Sequence, residues 1–115
     1  MLDDDPSVLT ATGRLLASEG WRVETFINPD DFLHHAKNYH PRVVVIDMWM
    51  PNLSGLEVQR RLGEFSPATR VIVLTANDDR AVRWKALAAG AAAFFTKPAR
   101  CDDFIASIRS AFAAS

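Results

Sequence analysis

The sequence predicts an α/β protein whose parallel sheet is covered by helices on both faces. Val43–Ile46 (VVVI) and residues 70–74 (RVIVL) are continuous apolar runs. Such runs are typical of strands buried on both faces, because a half-exposed strand alternates apolar with polar residues. Segments with helical spacing separate the runs, so the chain divides into five strand–helix units. Right-handed connections then predict a three-layer sandwich of helices, sheet and helices.

Composition excludes several classes of protein. The chain has 115 residues, which suits one domain spanning residues 1–115. A formal charge of -1 lacks the basic excess of a nucleic-acid binder, so direct nucleic-acid binding is not expected. No apolar run reaches the length of a membrane span, and no signal peptide is evident. The single cysteine, Cys101, cannot form an internal disulfide, and a cytoplasmic location is expected.

The amino terminus carries three adjacent carboxylates. Only Met1 and Leu2 precede Asp3, Asp4 and Asp5, so any first strand is very short. Adjacent carboxylates repel one another unless they are solvated or neutralised by a cation, and their hard oxygen atoms suit Mg²⁺ or Ca²⁺. A solvated acidic terminus is the simpler interpretation of this segment alone.

The next predicted elements are a helix, an edge strand and a second helix. Pro6 suits the first turn of a helix over residues 6–19, which Gly20 ends. Residues 21–26 (WRVETF) alternate as an edge strand does. Asn28 then caps a helix over residues 29–38.

The third predicted strand, Val43–Ile46, ends at Asp47. Open α/β sheets bind ligands at the carboxyl ends of their strands, although a lone Asp there usually caps a turn or helix. The turn PNLSG follows at residues 51–55, and a third helix begins near Leu56. The strand over residues 70–74 likewise ends at a polar residue, Thr75.

The last two units repeat this pattern. Asn77 and Asp78 are cap candidates for a helix over residues 79–89, which Gly90 ends. A strand over residues 92–96 (AAFFT) leads into Lys97 and Pro98, a linkage at which a cis bond costs little. A final helix covers residues 101–113.

Polar side chains are therefore predicted to converge at one edge of the sheet. The carboxyl ends of parallel strands share that edge, which brings together an acidic cluster, a hydroxyl and an ammonium group. The residues concerned are Asp3, Asp4, Asp5, Asp47, Thr75 and Lys97.

These motifs give the chain a clear resemblance to a receiver domain of the response-regulator family. The motifs are LDDDP, VVVIDMWMP with NLSG, VIVLTA, and GAAAFFTKP, in the family's order and at its intervals. The resemblance covers essentially all 115 residues and is strongest to the subgroup related to nitrogen-fixation regulators. It implies a flavodoxin-like fold with strand order 2-1-3-4-5.

The resemblance also implies roles for individual residues. Asp47 matches the phosphoacceptor, which takes a phosphoryl group from a sensor histidine kinase or phosphotransfer protein. The Mg²⁺ ligands of the family match Asp3, Asp4, Asp47 and the backbone carbonyl of Trp49. The groups that bind the phosphoryl oxygens match Thr75, Lys97 and the backbone amide of Ala76. The switch residues match Thr75 and Phe94.

Phosphorylation is expected to change the face formed by the fourth helix, fifth strand and fifth helix, through which a homodimer could also form. Such a protein phosphorylates and dephosphorylates itself in an Mg²⁺-dependent way, and it is not a conventional turnover enzyme.

Three departures from the family pattern stand out. Phe94 lacks the hydroxyl that many relatives carry at the switch position. Trp49 is bulky beside the site, and we expect it to restrict attacking water. About five apolar residues normally precede the acidic pair. Three explanations account for their shortage here. Upstream residues are missing from the numbering, another chain supplies the strand, or the first strand is truly truncated and the protein is less stable. We favour missing upstream residues. No effector domain follows Ser115, which suggests a single-domain regulator or part of a longer protein.

Three other functions compete with a phosphoacceptor role for Asp47. A haloacid-dehalogenase-type phosphatase needs a second Asp two positions after the nucleophile, where this chain has Trp49. An FMN binder needs a hydroxyl- or glycine-rich phosphate loop, and LDDDP would repel phosphate. The remaining rival is a receiver-like docking module that works without phosphorylation.

Overall fold

The computed structural model describes residues 1–50, 53–76 and 79–114 and contains a parallel sheet of three strands. The strands are β1 (Val43–Ile46), β2 (Arg70–Thr75) and β3 (Ala93–Thr96), in the order β1-β2-β3. Val44 lies opposite Val71, and Ile72 lies opposite Ala93. The two continuous apolar runs therefore form adjacent strands, and the α/β class is confirmed.

Five helices surround this sheet. They are α1 (Pro6–Ser18), α2 (Pro29–Tyr39), α3 (Gly55–Phe65), α4 (Arg80–Ala88) and α5 (Cys101–Ala114). All five agree with the predicted helices to within one or two residues.

The helix ends have the predicted chemistry. Asn28 caps α2 through its side chain, and Gly20 and Gly90 have φ of 92° and 103° just after α1 and α4. Asp79, which we expected to be the first helical residue of α4, instead caps that helix. Its carboxylate accepts from two amides of the first turn, a role that the sequence assigned to Asn77 or Asp78. Those two residues, and Pro51 and Asn52 of the predicted turn, lie outside the described residues.

Apolar side chains fill the space on both faces of the sheet. On one face, α2, α3 and α4 pack through residues such as Phe32, Leu62 and Ala86. On the other, Leu16 of α1 and Ile108 of α5 pack against the sheet. The predicted three-layer sandwich is therefore present. No helix in the described ranges is both long enough and apolar enough to cross a membrane.

The predicted edge strand is absent, and the first strand, which the sequence indicated to be very short, is reduced to isolated bridges at Leu2. Within the described part of the chain, residues 21–26 form no strand, and Phe26 makes one parallel bridge, to Leu2. Leu2 in turn bridges Ile46 of β1. The alternating pattern of residues 21–26 fits a strand, but a strand also needs a neighbour to pair with, and only Met1 to Asp3 are available. The predicted five-strand order is therefore not established.

The short amino-terminal segment is nevertheless held firmly. The Leu2 N–H donates to the Val45 carbonyl (2.8 Å), and the Asp47 N–H donates to the Leu2 carbonyl (3.0 Å). On the other side, the Phe26 N–H donates to the Met1 carbonyl (2.9 Å). Leu2 is fully buried. These bonds fix the position at which the acidic cluster begins.

Candidate functional site

The carboxyl edge of the sheet brings together the polar residues that the sequence placed there. Asp47 follows β1, Thr75 ends β2, and Lys97 follows β3. Asp3 and Asp4 join them from the amino-terminal segment. The carboxylates of Asp3, Asp4 and Asp47 each offer an oxygen within 4.8 Å of the others, so the predicted convergence is confirmed for these three residues.

Asp3 and Lys97 form a partly buried ion pair. The Lys97 Nζ donates to Asp3 Oδ2 at 2.6 Å, and Asp3 is only 1% exposed. The second oxygen, Oδ1, accepts from the Asp5 amide at 2.9 Å. The Lys97 amide donates to the Thr75 carbonyl at 2.7 Å, which ties the end of β3 to the end of β2. Burial weakens solvent screening, so Lys97 is an effective counter-charge for the cluster.

The electrostatic setting of Asp47 opposes its ionisation. Burial raises the pKa of the Asp47 carboxyl above its usual value, because the charged form loses hydration, and the nearby charge of Asp3 raises this pKa further. The Thr75 hydroxyl, the Trp49 amide and Lys97 act in the opposite direction. The Trp49 N–H donates to Asp47 Oδ1 at 3.3 Å. A cation at this position would favour the carboxylate form.

Thr75 buries a hydroxyl that lacks an ordinary partner. Its side chain is fully buried, and its Oγ1 forms no hydrogen bond of ordinary geometry within the described residues. The Thr75 hydroxyl nevertheless lowers the pKa of the Asp47 carboxyl, as a nearby hydrogen-bond donor does. Buried polar atoms usually have partners, and this one is available to an added ligand.

Gly55 packs against the backbone of Asp47 and Met48. The sequence did not indicate it as a site residue. Its N–H donates to the Met48 carbonyl at 3.0 Å. A Cβ at Gly55 would lie 2.4 Å from the Asp47 carbonyl oxygen and 2.6 Å from the Met48 Cα. The sequence assigned Gly55 only to a turn cluster, and nothing local indicates that the helix start lies against the backbone of Asp47.

Two aromatic residues lie near this edge in different environments. Trp49 is 46% exposed, and its backbone amide, two residues after Asp47, bonds to that carboxylate. Phe94 is buried, and the Arg83 guanidinium carbon of α4 lies 5.4 Å from its ring centroid. The predicted contacts of the Trp49 carbonyl and the Ala76 amide remain predictions.

The donor set fits a divalent cation of the hard class. Three carboxylates within reach of one another supply only oxygen atoms, which Mg²⁺ prefers. Two of the three, Asp3 and Asp47, are buried, while Asp4 is exposed. Mg²⁺ commonly keeps several water ligands, so a partly open site suits it.

Comparison with known families decides the class of protein. A family model described as a response regulator receiver domain matches residues 1–109. The chain belongs to the response-regulator receiver family. Phosphorylation-driven switching is general for receiver domains, which partner with histidine kinases, can dimerise and generally use Mg²⁺.

Individual relatives agree with this assignment. The response regulator protein TmoT of Ectopseudomonas mendocina is 38% identical over 111 residues, covering 96% of this chain and 50% of that protein. The solved structure of FixJ-N is 30% identical with a TM-score of 0.90, covering 99% of this chain and 91% of that one. The beryllofluoride-activated NtrC4 receiver domain dimer is 29% identical with a TM-score of 0.93, covering 98% and 93%. The receiver chain spans about half the length of the curated relatives it matches.

Proposed function

We propose that Asp47 is the phosphoacceptor of this receiver domain. A carboxylate oxygen of Asp47 attacks the phosphorus of a phosphohistidine on a sensor histidine kinase or phosphotransfer protein. The P–O bond forms as the P–N bond breaks, and the imidazole leaves with its electron pair. The product is an acyl phosphate on Asp47. The observation that carries this proposal is the convergence of Asp3, Asp4, Asp47 and Lys97 at one edge of the sheet.

Asp3, Asp4, Asp47 and the Trp49 carbonyl would hold Mg²⁺ beside the acceptor. When bound, Mg²⁺ supplies positive charge that offsets the repulsion between a carboxylate and an incoming anionic phosphoryl group. Among the residues, Asp3 is held in place by Lys97 and by the Asp5 amide, and Asp47 is oriented by the Trp49 amide. The chain thus positions the oxygens in advance.

Thr75, Lys97 and the Ala76 amide would bind the oxygens of the new phosphoryl group. Thr75 offers a buried hydroxyl without an ordinary partner, which is a ready donor. Lys97 is within reach because its ammonium group already lies in the acidic cluster. Both groups gain charge-assisted hydrogen bonds to the acyl phosphate.

The switch would pass from Thr75 to Phe94. As Thr75 moves toward the phosphoryl group, it vacates space that the Phe94 ring then occupies. The Arg83 guanidinium lies over that ring, so a rotation of Phe94 changes a contact with α4. The face formed by α4, β3 and α5 is thereby altered. A coupling of roughly 1 to 3 kcal/mol would change partner affinity severalfold or more.

This face is the proposed surface for a partner or effector domain, and for a homodimer. We assign residues 1–115 to one receiver domain in the cytoplasm, the usual compartment of the family. Its own chemistry is limited to Mg²⁺-dependent self-phosphorylation and self-dephosphorylation.

Mass spectrometry after incubation with acetyl phosphate and Mg²⁺ tests the proposal. The parent chain should gain the mass of one phosphoryl group, and Asp47→Asn should not. Asp102→Asn, at an exposed position in the first turn of α5, is the matched control and should react like the parent. Omitting Mg²⁺, or replacing Lys97 by Met, should slow the reaction strongly. A chain that gains no phosphoryl group, yet still binds a partner, would instead be a docking module.

A further inference from the structure

Gln59 is a buried polar residue at the contact between α3 and α4. It is 5% exposed, and its Nε2 donates to the Ala86 carbonyl of α4 at 2.9 Å. Its Oε1 is buried and forms no hydrogen bond within the described residues. Ala86 is itself fully buried, and its small side chain leaves room for the amide to reach the backbone of α4. A side chain of α3 is therefore bonded to the main chain of the next helix.

The Ala86 carbonyl belongs to the hydrogen bonds that end α4. It also accepts from the Ala91 N–H at 3.0 Å, while the Gly90 N–H donates to the Leu87 carbonyl at 3.0 Å. This pair of bonds, with Gly90 at a φ of 103°, is the Schellman arrangement of a helix end. A carbonyl oxygen has two lone pairs, so Gln59 adds to this arrangement without displacing a bond.

The two ends of α4 are held differently. The last turn leads through Ala91 into β3, and the Ala92 N–H donates to the Val71 carbonyl of β2 at 2.7 Å. The first turn carries Arg83, whose guanidinium carbon lies 5.4 Å from the ring centroid of Phe94. A movement of Phe94 therefore acts on the first turn of α4, whereas the last turn is tied to α3 and to the sheet.

We propose that Gln59 is a positioning residue of the switch, which fixes the carboxyl end of α4 to α3 so that α4 pivots about this end when Phe94 moves. The inference rests on the proposed movement of Thr75 and Phe94. Hinge points of this kind are commonly element ends that stay in place while the rest of the element moves. The bond from Gln59 to Ala86 is then kept in both states of the switch.

The unpaired Oε1 of Gln59 argues against a purely stabilising role. Burying an acceptor without a partner costs free energy, which offsets the bond that Nε2 makes. Methionine is unbranched and similar in length, so it would fill the same space without an unpaired acceptor. The Ala86 carbonyl would keep its bond from Ala91. Gln59→Met should therefore unfold at the same urea concentration as the parent or a higher one, while its α4 loses the tie to α3.

NMR spectra of the 115-residue chain, with and without beryllofluoride and Mg²⁺, test the pivot. In the parent, the backbone amides of Leu87 and Ala88 should change little on activation. In Gln59→Met, the shift changes of these two amides should grow by at least about threefold, because the end of α4 is free to move. The matched control is Glu64→Met, which places methionine at an exposed position of the same helix and should respond like the parent.

The Gln59 side chain gives a second measurement that needs no variant. Gln59 is the only glutamine in the sequence, so its side-chain amide signal is distinct. Its bonded Nε2 proton should exchange at least about tenfold more slowly than the side-chain amide protons of the exposed Asn28, both with and without beryllofluoride. Loss of this protection on activation would overturn the pivot, and this measurement remains decisive if Gln59→Met does not fold.

Failure of the pivot is distinguishable from failure of the proposed switch. If beryllofluoride leaves the Thr75 and Phe94 amides unchanged, the switch is wrong and the pivot with it. If those two amides respond but Ala88 responds equally in Gln59→Met and the parent, only the pivot is overturned. A lower urea midpoint of Gln59→Met with that same unchanged response would assign Gln59 to stability alone.

Discussion

At the scale of single residues, the fully buried Thr75 and the half-buried Thr69 differ in how their hydroxyls are bonded. The Thr69 hydroxyl donates to the Pro41 carbonyl and lies 2.6 Å from Ser66 Oγ. The Thr75 hydroxyl has no such partner among the described residues and lowers the pKa of the Asp47 carboxyl. A hydroxyl that contributes little to folding at the end of a central strand is better explained by a ligand-binding role.

Thr75→Val should therefore change the free energy of unfolding by less than about 1 kcal/mol, whereas Thr69→Val should lower it by about 1–2 kcal/mol. Thr75→Val should also raise the pKa of Asp47 further, because the hydroxyl now lowers it. Urea unfolding and NMR titration measure the two effects. A larger loss of stability in Thr75→Val than in Thr69→Val would show that Thr75 is mainly structural.

Trp49 tests whether a side chain at the surface protects the acyl phosphate. If its ring restricts attacking water, Trp49→Ala should dephosphorylate faster by about tenfold, which is a barrier change of about 1.4 kcal/mol. Trp84→Ala is the matched control, because Trp84 is 71% exposed on α4. Loss of the phosphoryl group can be followed by mass spectrometry over time. Equal lifetimes for Trp49→Ala and the parent would contradict the protective role.

At the scale of elements, the start of α3 is constrained by the backbone of Asp47. Gly55→Ala would place a Cβ against backbone atoms of Asp47 and Met48, which cannot move without shifting Asp47, the proposed phosphoacceptor. We expect a loss of about 2 kcal/mol or more in the free energy of unfolding, together with slower phosphorylation. Thermal unfolding and acetyl phosphate labelling measure the two effects.

Gly63→Ala is the matched control within the same helix. Nothing lies within 4 Å of a Cβ at Gly63, so this variant should gain about 0.5–1 kcal/mol through helix propensity and keep its labelling rate. If the two alanine variants behaved alike, close packing of α3 against Asp47 would not explain the glycine at position 55.

The outer face of α3 carries an ion-pair cluster that makes stability depend on pH. Hydrogen bonding to Arg60 lowers the pKa of Glu57 from 4.5 to about 2, and Arg61 adds to the effect. The contribution to stability is present above the unfolded-state pKa and is lost as the pH falls from about 4.5 toward 2. The cluster is exposed, so its effect is modest and weakens with added salt.

Glu57→Gln should remove this part of the acid dependence. The variant should be less stable than the parent at pH 6. The difference in the free energy of unfolding should shrink at pH 3, because Glu57 is then protonated in the unfolded state and its ion pairs stabilise the fold less. Denaturant unfolding at the two pH values, repeated at high salt, provides the measurement. A difference that is the same at both pH values would exclude Glu57 ionisation as its source.

At the scale of the whole molecule, the proposed face of α4, β3 and α5 leads to a prediction about assembly. Leu87 is 43% exposed and lies one turn after Arg83, which contacts Phe94, so it shares that side of α4. With beryllofluoride and Mg²⁺ the chain should dimerise. Leu87→Asp should weaken the dimer by at least about tenfold, because it places charge in an apolar interface.

Analytical ultracentrifugation with and without beryllofluoride measures this change. Tyr39→Asp is the control, because Tyr39 is 73% exposed on α2, outside the proposed face. A parent chain that stays monomeric with beryllofluoride would contradict the predicted dimer. A dimer weakened by Tyr39→Asp alone would show that the interface lies outside the face of α4, β3 and α5.

The helices, the three strands and the polar residue at the end of each strand could all be predicted from the amino-acid sequence. These features depend on local chemistry: continuous β-branched runs, helical spacing, capping side chains and glycines at positive φ. The family pattern of the strand ends also predicted functional roles for Asp47, Thr75 and Lys97.

Features that depend on neighbours distant in sequence could not be predicted and emerge only from the folded chain. Residues 21–26 have a strand-like pattern but form no strand, because pairing needs a partner strand and Met1 to Asp3 provide little more than one bridge. Asp3 and Asp4 are identical in type, yet Asp3 is buried against Lys97 and Asp4 is exposed. Local sequence cannot encode such differences, because they arise from which groups the fold brings into contact.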